Sequence, residues 1–164
     1  MGYLAGHDGH LLRHLTNCVA FNPVPSRRGY QNILGFGNAH GEAHDDETGN
    51  LQRLDQYNAR LLARMIERLE AQPEGSGTMA DNTLFAWYDQ NGGRHHSPGR
   101  RHDDHPLILI GDMQGHFRTG RHVRYEKNQH AVSDGFVSMM HALGIDEDRF
   151  GDTSVCRGPL PDLT

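Results

Sequence analysis

Two histidines four apart, His40 and His44, stand in the stretch NAHGEAHDD, with Asp45 and Asp46 directly after the second. Two imidazoles at that spacing meet one metal ion where the backbone is helical. The pattern is not that of a zincin, because Gly41 follows His40 and HEXXH is absent, although Glu42 lies between the pair. Further on, Asp89 closes an apolar run. Carboxylates at the C-terminal edge of a buried strand are where open α/β sheets hold ligands; a plain turn former ahead of Gln90-Asn91-Gly92 reads equally well. His95, His96, His102 and His105, with Asp103 and Asp104, crowd the next segment and supply nitrogen and oxygen donors suited to zinc or another divalent ion. Solvated loops also tolerate histidine, so each of these residues gains weight only as part of a set.

The elements that must position them are few. The chain has 164 residues, 35% of them hydrophobic, enough for one domain with a core over residues 1–164 and too few for two. A mean hydropathy of -0.72, with 20 Gly and 7 Pro, implies much loop and a small core. The net charge of -5 offers no basic face for nucleic acid. Thirteen histidines, mostly in polar, Gly-rich stretches, point instead to metal or acid–base work. Cys18 and Cys156 form no CxxC pair, which leaves two free thiols as the plain expectation and a disulfide between them open. No run of eighteen apolar residues spans a membrane, and Met1 to His14 lacks the form of a secretory signal.

Along the chain, Asn17 to Val24 reads as a buried strand and residues 26–50 as a long irregular segment. Leu51, Leu54, Tyr57, Leu61, Leu62, Met65, Ile66 and Leu69 recur at three- and four-residue steps, predicting an amphipathic helix from Asn50 to Ala71 that Pro73 and Gly75 stop. A turn at Gly75-Ser76-Gly77 precedes a strand from Asn82 to Asp89, apolar on both faces. PLILIG, Pro106 to Gly111, is the next strand, and His122 to Tyr125 a further extended piece. A helix from Ala131 to Leu143 turns Val132, Phe136, Val137, Met140 and Leu143 inward and stops at Gly144. Residues 146–164 read as an extended tail with one turn around Asp148 to Phe150.

The order His-x-x-x-His, amphipathic helix, buried strand ending in Asp, then a His-bearing loop resembles the metal-ligand order in the C-terminal half of the alkaline phosphatase and sulfatase superfamily. DNTLFAWYDQNG, Asp81 to Gly92, is similar to that superfamily's DNTLVVxxSDHG. PEGSGTMADNTL, HDDHPLILIG, GRHVRY and DRFGDTS, in this order, resemble words of a bacterial exported family known as domain of unknown function 1552. The resemblance implies an α/β fold, part of the alkaline-phosphatase-like three-layer architecture with a mostly parallel sheet and flanking helices, and export to the periplasm or beyond. It implies His40, His44, Asp89 and His102 as metal ligands, zinc first, with Asp45, His95, His96 and His105 as further candidates and Arg101 or Arg121 available to hold an anionic oxygen. The chain departs from the pattern at Gln90, where the superfamily has a ligating His, and the superfamily's nucleophile and first metal-binding Asp belong to an N-terminal half with no match here. Two functions follow: a metal-assisted hydrolase of small phosphate or sulfate esters, or a non-catalytic, degenerate module with a structural or assembly role beside another subunit.

Overall fold

The computed structural model describes residues 17–21, 33–35, 48–88 and 105–164. Strand β1 (Asn17–Phe21) precedes the 21-residue helix α1 (Asn50–Glu70), the short β2 (Pro73–Glu74) and β3 (Gly77–Thr78), then β4 (Thr83–Tyr88), β5 (Leu107–Ile110) and helix α2 (Val132–Ala142). The described structure is thus mixed α/β. β4 lies between β1 and β5, parallel to the first and antiparallel to the second. The expected mostly parallel sheet is therefore mixed over the described strands, because a run such as PLILIG reads the same in either direction. Among the described residues no helix is long and apolar enough to cross a membrane.

Helix α1 forms where the periodicity places it. Leu54 and Leu62 are buried on its inner stripe, together with Asn58 at 1% exposure, which apolar periodicity does not reveal; Leu61, assigned to that stripe, faces out at 38%. Pro73, without an N–H and just past Ala71, ends the helix. The turn at Gly75-Ser76-Gly77 becomes the antiparallel β2–β3 hairpin.

β4 carries the core. Leu84, Phe85 and Ala86 are all buried, each large side chain worth about 1.5–3 kcal/mol on leaving water. Side chains alternate along a strand, and the register Ala86↔Leu109 and Tyr88↔Leu107 sets Leu84, Ala86, Leu107 and Leu109 on one face. That face packs against Met139 and Phe136 of α2, with Met113, Phe117 and Leu163 closing the cluster. Tyr88 meets Phe136 edge-on, ring centroids 5.9 Å apart.

α2 ends as expected: Gly144 at φ 77° lets the Ile145 N–H reach back to the Met140 carbonyl at 2.9 Å, the reversal of a Schellman stop. Val132, expected inward, is 41% exposed, whereas Met139 is buried. Residues 122–125 form no strand: Arg121, His122 and Arg124 are exposed and no ladder partner lies beside them among the described residues. The turn expected at Asp148 to Phe150 comes later, where the Asp152 carboxylate accepts the N–H and hydroxyl of Ser154.

Asp134, fully buried in the first turn of α2, ties this half together. Burial alone would raise its pKa. Hydrogen bonds from the N–H groups of Arg157 (2.8 Å) and Ala131 (3.2 Å), from His130 and from the Cys156 thiol outweigh that and hold it below the ordinary 3.8. A carboxyl with a depressed native pKa contributes stability that is complete above its unfolded value and lost as pH falls through the native one. Asp134→Asn should cost about 2–3 kcal/mol in urea unfolding at neutral pH. The variant should also lose less further stability than the wild type between pH 4 and pH 2; equal acid sensitivity would contradict this role.

Candidate functional site

The sheet has two ends of different character. At one, β1 and β4 finish and β5 begins: Phe21 pairs with Trp87, and Tyr88 with Leu107. At the other, β4 begins and β5 finishes. Five strand steps of about 3.3 Å set these ends roughly 17 Å apart.

The histidine-bearing connections join the strands at the first end, one at Phe21 and the other at both Tyr88 and Leu107. Residues 22–49, carrying His40, His44 and Asp45, run from the close of β1 to the start of α1. Residues 89–106, carrying Asp89, His95, His96, Arg101, His102 and His105, run from the close of β4 to the start of β5. Of these candidates only His105 is among the described residues; it is half-buried, two positions before β5. His40, His44, Asp45, Asp89, His95, His96, Arg101 and His102 lie outside them. Among the described residues, no group of three or more His, Cys, Asp or Glu could hold a metal ion.

Arg121 belongs with the opposite end. Its neighbour Gly120 lines a depression of about 470 Å³ together with Asp81, Gly111 and Asp112, and its Nε–H donates to the Arg118 carbonyl at 2.8 Å. Its charge also reaches Tyr125, whose hydroxyl is pushed up by burial and by Asp162 and lowered by Arg121. The last turns of α1 reach this end too, with Ile66 and Glu70 on the same wall as Phe85 and Ile110.

Beside that depression, Glu74, Ser76, Gly77, Asp81, Asn82 and Gln114 line an open hollow of about 350 Å³. The buried Asn82 donates to Glu74 Oε2 at 2.8 Å and accepts from Gln114 Nε2 at 3.2 Å. Asp81 Oδ2 accepts the N–H of Thr78 at 2.7 Å and its hydroxyl at 2.9 Å, bonds that hold the carboxyl below the ordinary range and ionised at neutral pH. These carboxylates are engaged by the protein itself, and their chemistry here is to fasten the β2–β3 hairpin to β4. Sequence reasoning did not single out this cluster, because a lone Glu, Asp, Asn and Gln drawn from three segments leave no spacing signal. Met113 and Gln114 both adopt left-handed backbone (φ 50° and 60°), which aims Met113 into the core and Gln114 at Asn82.

Comparison with protein-family models, curated proteins and solved structures gives no match to this chain. The likeness to the exported family and to the phosphatase superfamily therefore rests on the sequence words alone.

The junction between β5 and this cluster depends on Gly111, at φ 105°, where an added Cβ would stand 2.6 Å from the Thr83 carbonyl oxygen. Both the backbone angle and the contact oppose any side chain. Gly111→Ala should destabilise the protein by more than about 2 kcal/mol in urea unfolding; a loss under about 0.5 kcal/mol would contradict the tight approach.

Proposed function

We propose that the chain is a metal-binding, hydrolase-like domain of the phosphatase and sulfatase type, acting where β1 and β4 end and β5 begins. One observation supports the reading: the parallel β1–β4 pair and the antiparallel β5 bring the close of β1, from which one histidine-bearing connection departs, and both attachment points of the other to the same end of the sheet. Ligands of open α/β sheets bind beyond the carboxyl ends of parallel strands. His40, His44, Asp89 and His102 would hold the ion, with Asp45, His95, His96 and His105 in reserve; a set of imidazoles and carboxylates suits zinc. A bound divalent ion supplies Lewis acidity toward an ester oxygen and lowers the pKa of its water. Arg101, on the same connection, would hold an anionic oxygen of a small phosphate or sulfate ester. The three-layer alkaline-phosphatase-like architecture, and export, belong to the same proposal and rest on the resemblance.

The alternative, a degenerate module with a structural or assembly role, draws on Ile108, 48% exposed on β5, an outer strand of the described sheet. Elemental analysis by inductively coupled plasma mass spectrometry separates the two. The purified wild type should carry about one divalent ion per chain, and a His40→Ala, His44→Ala double variant should lose it. Retained metal in the double variant would remove these ligands from the account, and no metal in either protein would leave the assembly module.

A further inference from the structure

Residues 145–164 contain no helix or strand, yet they bury Cys156 at 2% exposure and Gly158, and they return hydrogen bonds to α2 and the loops before it. Two α2 side chains receive the central bonds. Asp134 Oδ1 accepts the Arg157 N–H, and its carboxylate also takes the Cys156 thiol. Ser138 Oγ donates to the Asp134 carbonyl at 3.1 Å and accepts the Leu160 N–H at 2.7 Å. Within the segment, the Arg149 guanidinium donates to the Cys156 carbonyl and the Phe150 N–H to its sulfur at 3.4 Å. Outlying bonds join Arg157 to the Gln129 carbonyl, the Tyr125 hydroxyl to Pro161 O at 2.6 Å, and the Arg118 N–H to Leu163 O at 2.9 Å.

We propose that residues 145–164 form a strap that opens as one unit while the β1–β4–β5 sheet stays folded, with the Asp134 carboxylate as its latch. The sheet ladders take no part in holding the strap, so breaking the strap's bonds leaves them whole. Hydrogen bonds make most of its attachments, and its apolar contacts include Leu163 on the main core cluster, Phe150 against Phe136 of α2 with ring centroids 5.3 Å apart, and Leu160 beside Gly135. Segments fixed mainly by hydrogen bonds over few apolar contacts open at lower free energy than the fold as a whole. Asp134 is the latch because its two oxygens join both sides: Arg157 and Cys156 from the strap, Ala131 and His130 from the start of α2. Opening uncovers the Cys156 thiol and the flank of α2 at Gly135, where Leu160 lies close. The device is a cover over α2 that loosens without loss of the sheet.

Cys156 serves as its own reporter. Native protein is labelled with N-ethylmaleimide at rising urea, Cys156 is separated from Cys18 by peptide mass mapping, and amide exchange of β4 is followed in parallel. The strap predicts that Cys156 labelling has a shallow urea dependence while the slowest β4 amides show the steep one of global unfolding. Asp134→Asn should speed Cys156 labelling at least about tenfold, and Ser138→Ala should act in the same direction. Gly111→Ala, which strains the sheet in the closed and opened states alike, should speed β4 exchange and leave Cys156 labelling unchanged. Labelling of Cys156 with the same steep urea dependence as β4, or an unchanged rate in both latch variants, would overturn the proposal.

Discussion

Parallel strands cannot be joined by a tight turn; the chain must leave one strand at its carboxyl end and travel back the length of the sheet before the next begins. The pairing of β1 with β4 imposes that journey between Phe21 and Thr83, and the last turns of α1, at Ile66 and Glu70, lie beside the end where β4 begins. The connection ahead of α1 leaves the sheet where β1 closes, at Phe21. β5 then enters antiparallel beside β4, so the next connection is anchored at that same end at both its points of attachment. Three attachment points far apart in sequence, Phe21, Tyr88 and Leu107, come to share one end of the sheet through hydrogen-bond register.

Elsewhere the polar groups serve a different purpose. At the other end of β4, Glu74, Asn82 and Gln114 form a chain of hydrogen bonds, and Asp81 turns both its acceptances toward Thr78. Around α2, the fully buried Asp134 is surrounded by donors from before and after the helix. A small core needs such fasteners, because buried polar groups with every partner in place fix geometry that a few apolar contacts leave loose. Carboxylates engaged in this way are ill placed to act on a substrate.

Much of this order was legible in the residues. The spacing of Leu54, Leu62 and Ile66 marks α1, and the unbroken runs TLFAWY and LILI mark β4 and β5, because burial periodicity is a local property. Strand direction is not local: nothing in LILI says which way it pairs. Asn58 escaped notice because a fully buried amide breaks an apolar stripe, and Asp134 because one acid near a helix start looks like an ordinary cap until the segment that returns to it is seen. Hydrophobicity alone points Val132 inward, but it stands at a helix start where solvent reaches it. The candidate ligands can be named by type and order, but that the strand ends flanking them lie together follows only from register.

That shared end is the claim on which the functional account stands, and paramagnetic broadening by manganese(II) in two-dimensional amide spectra tests it most directly. The account predicts saturable broadening strongest at Phe21, Tyr88 and Leu107 and weak at Thr83, Gly111 and Asp112, since the effect falls steeply over the roughly 17 Å between the two ends of β4. Broadening centred instead on Asp81, Asp112 and Glu74, or spread without saturation over the surface, would contradict it.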